Sequence, residues 1–115
     1  MYELPKNIIC RDNQEFNKVY SLGRSYVNNQ LVVHVLKSDK IKGKVGFAVG
    51  KKIGNAVIRN RIKRMMREAY RLCRHEINSE VSMILIGRKA LIDAKCDVVI
   101  KAFKNICVKA KILRN

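Results

Sequence analysis

A dense run of cations and amides between residues 51 and 64 is the part of this sequence whose residue types are best suited to binding. The run reads KKIGNAVIRNRIKR, and its polar members are Lys51, Lys52, Asn55, Arg59, Asn60, Arg61, Lys63 and Arg64. Guanidinium groups match phosphate oxygens in bidentate geometry, whereas ammonium groups act as point charges. The chemistry that this run indicates is therefore the binding of a polyanion.

The cations continue along one side of a predicted helix. Asn55 is a good N-cap, and the apolar periodicity predicts a helix from there to about Ile77. At about 100° per residue, one arc holds the apolar residues Ile58, Ile62, Met65, Met66, Ala69, Leu72 and Cys73. The neighbouring arc holds Arg59, Asn60, Lys63, Arg64, Arg67, Arg71 and Arg74. Arg61 falls outside both arcs and points off a separate edge.

The charges on this arc have one sign. An ordinary solvated helix face mixes signs, because like-charged neighbours such as Lys63 and Arg67 repel each other at i, i+4 spacing. Free N–H groups at the helix N-terminus also favour anions. The arc is therefore predicted to be a binding surface rather than a solvent face.

A second group of residues is aromatic and consists of Phe16, Tyr20, Tyr26, Phe47 and His34. If the first helix crosses a sheet, Phe16 and Tyr20 would meet the open sheet face and form a groove. Aromatic platforms beside cations hold single-stranded nucleic acid without reading its sequence. The alternative is burial in the core, which is equally compatible with Phe16 and is favoured for Phe47.

The first part of the chain is predicted to hold one helix and a β-rich segment. Residues 1–11 lack periodicity and are expected to form a loose arm. Asp12 and Glu15 make a capping-box-like start to a helix over about 13–22. Residues 25–37 alternate as a strand, and Asn28-Asn29 either divides them into two strands or bends one.

The rest of the chain completes a small α/β arrangement. Residues 44–50 alternate large and small side chains, which predicts a strand with one face left open for close approach. A strand over 81–89 follows the basic helix, and Asp93 is expected to cap a last helix. The order α-β-β-β-α-β-α predicts an α/β (α+β) two-layer sandwich, a single domain spanning residues 1–115.

Composition narrows the kind of partner. The 115 residues are 48% hydrophobic, and they carry 25 Lys and Arg against 9 Asp and Glu, a formal net charge of +16. That much self-repulsion indicates a neutralising partner, and nucleic acid is the first candidate. An anionic membrane is disfavoured because long apolar runs, a signal peptide and lipidation motifs are absent. We expect a cytoplasmic protein without a membrane partner.

Residues for self-contained catalysis are not evident. The acids form no paired carboxylate motif for two-metal chemistry, and His34 and His75 stand far apart without a nucleophile signature. The four cysteines show no CxxC and no paired histidine spacing, and three look like small apolar residues on helix faces. We therefore predict no catalytic residue and no metal site in this protein.

The segment from Val45 to Arg64, followed by Arg67-Glu68-Ala69-Tyr70-Arg71, closely resembles the bacterial ribonuclease P protein component. The pattern KKxGNAVxRNRxKR is highly specific to that family, and the resemblance covers nearly the whole chain. It implies a fold like the second domain of ribosomal protein S5, with a left-handed β-α-β crossover. The general chirality rule alone would predict the opposite hand.

The resemblance also implies a function. In that family a large RNA subunit hydrolyses the phosphodiester bond that releases the 5′ leader of precursor tRNA, using Mg²⁺ bound by the RNA. The protein binds the ribonuclease P RNA and the precursor tRNA, holds no metal tightly and needs no obligatory protein partner. The implied RNA-binding residues are Lys51, Lys52, Asn55, Arg59, Asn60, Arg61, Lys63, Arg64, Arg67 and Arg71. The implied leader-groove residues are Phe16, Tyr20, Val32 and His34.

Two departures from the family pattern fall in the implied groove. Position 20 is Tyr where Phe is more usual, which keeps the ability to stack. His34 stands where an aromatic such as Tyr is common, so stacking there is expected to be weaker and sensitive to pH. Two alternative functions stay open at this point: a ribosomal or chaperone-type RNA-binding protein without a cleavage role, and a nuclease that needs no RNA subunit.

Overall fold

The structure is a computed structural model that describes residue 4, residues 8–10 and residues 13–114. Its helices and strands follow the predicted order. They are α1 (Asn13–Leu22), β1 (Arg24–Val27), β2 (Leu31–Leu36), β3 (Val45–Val49), α2 (Ala56–Cys73), β4 (Ser82–Gly87) and α3 (Cys96–Ala110). Short 3-10 helices lie at Lys51–Ile53, Arg74–Glu76 and Lys89–Leu91. The predicted cap Asp12 and most of the predicted loose arm lie outside the described residues. Within the described part of that arm, Ile9 bridges Val45 and the Cys10 N–H donates to the Val45 carbonyl at 2.9 Å, so this part is attached to β3 rather than loose.

The four strands form one mixed sheet in the order β1-β2-β4-β3. Strand β2 pairs antiparallel with both β1 and β4, whereas β3 pairs parallel with β4. Parallel neighbours need a crossover connection, and α2 supplies it. This is the β-α-β unit that the resemblance implies, and its left hand stays a prediction.

The β-rich segment forms two strands, and the Asn28 side chain explains the break. Its Oδ1 accepts hydrogen bonds from the backbone N–H groups of Gln30 and Leu31, at 3.0 and 2.9 Å. Such a side-chain-to-backbone turn competes with continued strand pairing. Of the two predicted outcomes, division into two strands is therefore the correct one.

The predicted α+β class is confirmed, but helices cover both faces of the sheet, which makes three layers where the sequence predicted two. Helices α2 and α3 pack on the face that carries Leu31, Val33 and Leu85, and this layer contains most of the buried hydrophobic residues. Helix α1 packs on the opposite face, where Val19 is buried with a smaller hydrophobic cluster. The predicted alternation along β2 is confirmed, because Leu31, Val33 and Val35 face the layer of α2 and α3, whereas Leu36 on the alternate side packs in the cluster beneath α1.

Gly46 is the residue that lets α1 approach the sheet. A Cβ atom at this position would lie 2.7 Å from Ile84 Cδ1 and 3.0 Å from Phe16 Cδ2. Any larger side chain would push the Phe16 ring away from β3. The prediction that this strand leaves one face open for close approach is confirmed, and α1 occupies that opening.

Helix α2 ends at Cys73, before the predicted limit near Ile77. The helix is also rotated slightly about its own axis relative to the prediction. Leu72, predicted on the apolar arc, is 41% exposed, while Tyr70 is only 5% exposed. The Tyr70 ring lies against the rings of Phe47 and Phe103, with centroids 6.2 and 6.1 Å apart. Burying this larger aromatic surface in place of Leu72 is the physical reason for the difference.

The prediction that Asp93 caps the last helix is wrong. Helix α3 begins at Cys96, and the residue before it, Lys95, makes no side-chain capping hydrogen bond. The Arg61 guanidinium donates hydrogen bonds to the carbonyls of Ile92 and Ala94, at 2.9 and 2.7 Å. These bonds hold the segment around Asp93 as a loop and delay the start of the helix.

Candidate nucleic-acid interface

The N-terminus of α2 is fixed by its own side chains. Asn55 Oδ1 accepts a hydrogen bond from the N–H of Ile58 at 3.0 Å, as expected of an N-cap. Arg59 Nε donates to the carbonyl of Gly54 at 3.1 Å, which holds the stem of this side chain against the turn. Lys51 and Lys52 are exposed on the 3-10 helix just before this point.

The cations of the next two turns share one surface beside the edge strand β3. Asn60, Arg64 and Arg67 are exposed, and Lys63 is half-buried. The Arg67 guanidinium carbon lies 5.8 Å from the centroid of the Phe47 ring, within the range of a cation–π contact. We call this set of Lys51, Lys52, Asn55, Arg59, Asn60, Lys63, Arg64 and Arg67 the basic surface.

Two predicted RNA-binding residues have protein partners. Arg61 projects to the opposite side of α2, where it holds the loop before α3. Arg71 forms an ion pair with Glu68, and its Nε donates to Glu68 Oε2 at 3.1 Å. That hydrogen bond holds the pKa of Glu68 below its ordinary value. The structure thus separates Arg61 from the basic surface and partly neutralises Arg71.

The four predicted groove residues, Phe16, Tyr20, Val32 and His34, come together on the sheet face that carries α1. The Tyr20 and His34 rings lie 4.5 Å apart at an interplanar angle of 32°, and Tyr20 is 50% exposed. Val32 is half-buried on the same side of β2, beyond the stacked pair. Phe16 is half-buried against the smaller hydrophobic cluster, so it supports the core and borders the groove.

Three residues of the groove floor were not predicted. Strand register places Ile86 beside Val32 on one side and beside Ala48 of β3 on the other. Val27 of β1 pairs with Val32 and is 48% exposed. The row Val27-Val32-Ile86-Ala48 is therefore an apolar strip next to α1. The alternation along β4 was the available signal, but locating this row required the strand register.

The groove and the basic surface meet at β3. Consecutive residues of this edge strand point to opposite sides of the sheet. Gly46 contacts the Phe16 ring on the groove side, and Phe47 lies under Arg67 on the α2 side. Phe47 is half-buried and packs against the main core, so its predicted core placement holds for only part of the ring. A bound strand that follows β3 would touch both surfaces.

His34 is an uncharged member of the groove at neutral pH. Its Nδ1 is buried and has no hydrogen-bond partner in the described part of the chain. Burial lowers the pKa of His34 below the ordinary value of 6.5, because removal from water disfavours the charged imidazolium. Stacking, rather than charge, is therefore what the Tyr20–His34 pair offers to a ligand.

We next consider metal-binding side chains and buried cysteines in residue 4, residues 8–10 and residues 13–114. This part of the chain contains no group of three His, Cys, Asp or Glu side chains placed to hold a metal ion. Cys73 and Cys107 are buried in the core, and burial raises the pKa of Cys107 to about 12. Such a thiol is inert at neutral pH.

None of the described helices is long and apolar enough to cross a membrane.

A mixed sheet with a cationic helix along one edge and an aromatic groove on the other face defines a basic, RNA-binding α+β protein. The Ribonuclease P family model matches residues 4–111. The ribonuclease P protein component of Oceanobacillus iheyensis is 33% identical over 113 residues, covering 97% of this chain and 93% of the relative. That of Exiguobacterium is 38% identical over 109 residues, with 95% of each chain covered.

A solved structure of the ribonuclease P protein of Staphylococcus aureus superposes with a TM-score of 0.81 at 30% identity. The superposition covers 93% of this chain and 98% of the other. The chain belongs to the ribonuclease P protein family. Its role is that of a tRNA-processing subunit of this endoribonuclease, as the sequence resemblance implied.

The lowered pKa of His34 predicts how the stability of the protein depends on pH. The unfolded chain binds a proton near pH 6.5, whereas the folded chain binds it only at lower pH. The contribution of His34 to the free energy of unfolding should therefore be fully present above pH 6.5 and should be lost as the pH falls from 6.5 through the folded-state pKa. Urea denaturation between about pH 5 and 8 measures this dependence.

The variant His34→Gln lacks this imidazole, so its free energy of unfolding should depend less on pH below 6.5 than that of the unmodified protein. His75→Gln is the matched control, because it removes the other histidine, which is exposed in the 3-10 helix that follows α2. The control should keep the profile of the unmodified protein. A His34→Gln profile that superimposes on the unmodified one would contradict the assignment.

Proposed function

We propose that this chain binds the ribonuclease P RNA through the basic surface and holds the 5′ leader of precursor tRNA in the groove beside α1. Phosphodiester hydrolysis is carried out by the RNA subunit with its own Mg²⁺. The protein strengthens substrate binding and contributes no catalytic group. The reaction takes place in the cytoplasm, where precursor tRNA is made, and it needs no further protein partner.

One observation carries the proposal: an unbalanced cationic surface and an aromatic groove meet at the same edge strand. Phosphate contacts supply affinity and positioning for any RNA. Exposed rings such as Tyr20 stack on unpaired bases without regard to their identity. The leader differs in sequence from one tRNA to the next. A groove whose uncharged rings stack on any base therefore suits this ligand.

The residues that the structure describes support this division of roles between protein and RNA. Two-metal hydrolysis of a phosphodiester needs carboxylates or phosphates that hold the ions. The acids of this chain with identified partners pair with cations, as in Glu68–Arg71, Lys44–Glu15 and Lys42–Glu80. The described residues contain no cluster of three metal-ligating side chains, whereas RNA phosphates can supply such oxygen ligands, which favours metal binding by the RNA subunit.

Cleavage of a precursor tRNA at low Mg²⁺ tests the whole proposal. A bacterial ribonuclease P RNA is assayed with and without the protein, and the protein is assayed alone. We expect cleavage that depends on the protein in the mixture and none by the protein alone. Tight RNA binding without a gain in cleavage would instead favour the general RNA-binding alternative, and cleavage by pure protein would overturn both.

The basic surface makes a prediction about salt dependence. Arg64→Ala and Arg59→Ala should each weaken binding to the ribonuclease P RNA. Each should also reduce the slope of log Kobs against log salt concentration by about one unit for each phosphate that is no longer neutralised. Filter binding or fluorescence titration over a range of monovalent salt measures the slope. Unchanged slopes for both variants would remove these residues from the interface.

Arg61→Ala is the matched comparison, since it deletes the same charge from the opposite side of α2. Its removal breaks two charged hydrogen bonds to the loop at Ile92 and Ala94. We expect a decrease of about 1–3 kcal/mol in the free energy of unfolding with little change in the salt slope. A slope change as large as that of Arg64→Ala would return Arg61 to the RNA-binding set.

Tyr20 provides the sharpest test of the groove. It is more exposed than Phe16, whose removal would also leave a gap over Gly46. Tyr20→Ala should weaken holoenzyme binding of a precursor with a leader by about 1–3 kcal/mol, the worth of one stacked base. Binding of the leaderless tRNA should be unchanged.

Leu22→Ala serves as the control for this measurement, because Leu22 is 70% exposed on the same helix and its position is turned by about 200° around the helix axis from that of Tyr20. It should leave both affinities unchanged. Equal decreases of affinity for the precursor and for leaderless tRNA in Tyr20→Ala would show that Tyr20 acts through the fold rather than through the leader.

A further inference from the structure

A cationic cleft lies at the C-terminal end of α2, away from Lys51, Lys52 and Arg59 of the basic surface. It is a cleft of about 830 Å³ between the C-terminal end of the helix, the turn before β3 and the segment before β4. Its polar walls include Lys42, Lys44, Arg71, Arg74, His75 and Arg114. The described lining contains no aspartate or glutamate. We call it the C-terminal cleft.

We propose that the C-terminal cleft binds a phosphodiester group of RNA at a point separate from the basic surface. The inference rests on the proposed function, because it takes RNA to be the partner of this chain. It adds Lys42 and Arg114 to the residues that contact RNA, and it places Arg74, which the sequence already assigned to the cationic arc of α2, in a separate site. None of these three is among the RNA-binding residues that the family resemblance implies.

The cleft is built by contacts between distant parts of the chain. Gly43 has a φ of +66°, and a Cβ there would lie 2.8 Å from the carbonyl oxygen of Ser79. The turn that carries Lys42 and Lys44 therefore packs closely on the segment before β4. On the other wall, Arg114 Nε donates to the carbonyl of Ile77 at 3.0 Å, which fixes the position of its guanidinium.

Two of the cations have no acidic partner. Within residues 13–114, Arg74 and Arg114 form no ion pair. Lys42 lies 3.7 Å from Glu80, but both side chains are largely exposed. Such an exposed pair is weak, and a phosphate can compete for the lysine. The cleft thus presents more positive charge than its acidic neighbours cancel.

Helix stabilisation accounts for only some of this charge. Arg71 and Arg74 lie near the C-terminus of α2, where cations interact favourably with the helix dipole. Lys42 comes from the turn before β3 and Arg114 from the segment after α3, so neither belongs to that helix. Convergence of cations from three separate segments on one concavity is the property of an anion site.

The position of the cleft favours RNA over a small free anion. At about 1.5 Å per residue, Arg74 lies about 22 Å along α2 from Arg59. Arg67 and Arg71 lie between these two ends on the same side of the helix. The cations therefore follow the length of α2, and an RNA bound at the basic surface has other phosphates within reach of the cleft.

Two RNAs could supply the phosphate, namely the ribonuclease P RNA and the precursor tRNA. One arm of the experiment titrates the protein with a bacterial ribonuclease P RNA. The other titrates the reconstituted holoenzyme with precursor tRNA. Both use Arg74→Gln and Lys42→Gln over a range of monovalent salt. The matched control is Lys101→Gln, which removes one charge from the exposed side of α3 beside the β1–β2 turn.

We expect the slope of log Kobs against log salt concentration to decrease by about 0.7–0.9 in one arm, which identifies the RNA. The control should keep the slope of the unmodified protein. Thermal melting shows whether each variant is folded. If Arg74→Gln impairs folding, Lys42→Gln decides the result, because Lys42 lies on an exposed turn. A decrease in either folded variant that is absent from the control supports the site.

Unchanged slopes for both variants in both arms would overturn the proposal, as would an equal decrease in Lys101→Gln. Arg64→Ala, measured in parallel, separates this result from failure of the proposed function. If Arg64→Ala weakens RNA binding while the cleft variants do not, the basic surface remains and the C-terminal cleft is excluded.

Discussion

Burial of the apolar side of α2 against the sheet is the interaction on which the rest of the structure depends. Ile62, Met66 and Ala69 are fully buried there. Each step along a helix turns by about 100°, so fixing these residues also fixes the direction of every cation on the helix. A roll by one residue would bring an arginine towards the core, where an unpaired charge is very costly.

Strand β3 joins the two surfaces because it lies at the edge of the sheet. Its side chains alternate between the α2 layer and the α1 layer. It pairs along its length with β4 on one side, and on the other side the described residues contribute a single bridge, from Ile9 to Val45. Gly46 admits the Phe16 ring, and Phe47 lies under the Arg67 guanidinium. A central strand could not offer both sides so close to solvent, which explains why the recognition elements gather at this edge.

Charge and stacking are divided between the two sides of the sheet. The α2 side carries many cations and few acids, whereas the Tyr20–His34 pair on the other side is kept neutral by burial of the imidazole. With a formal net charge of +16, the folded protein keeps strong self-repulsion. Neutralisation by RNA phosphates therefore relieves a cost that the fold alone does not remove.

The sequence by itself determined the secondary structure order, the two sides of β2, the N-cap Asn55 and the one-sided charge of α2. These features depend on neighbouring residues or on a fixed period, and both are visible in the order of residues. Tertiary structure alone decided that Arg61 holds a loop 31 and 33 residues away, that Tyr70 rather than Leu72 is buried, and that α3 begins after Asp93. Each of these outcomes depends on which distant groups meet, and a local pattern carries no information about such contacts.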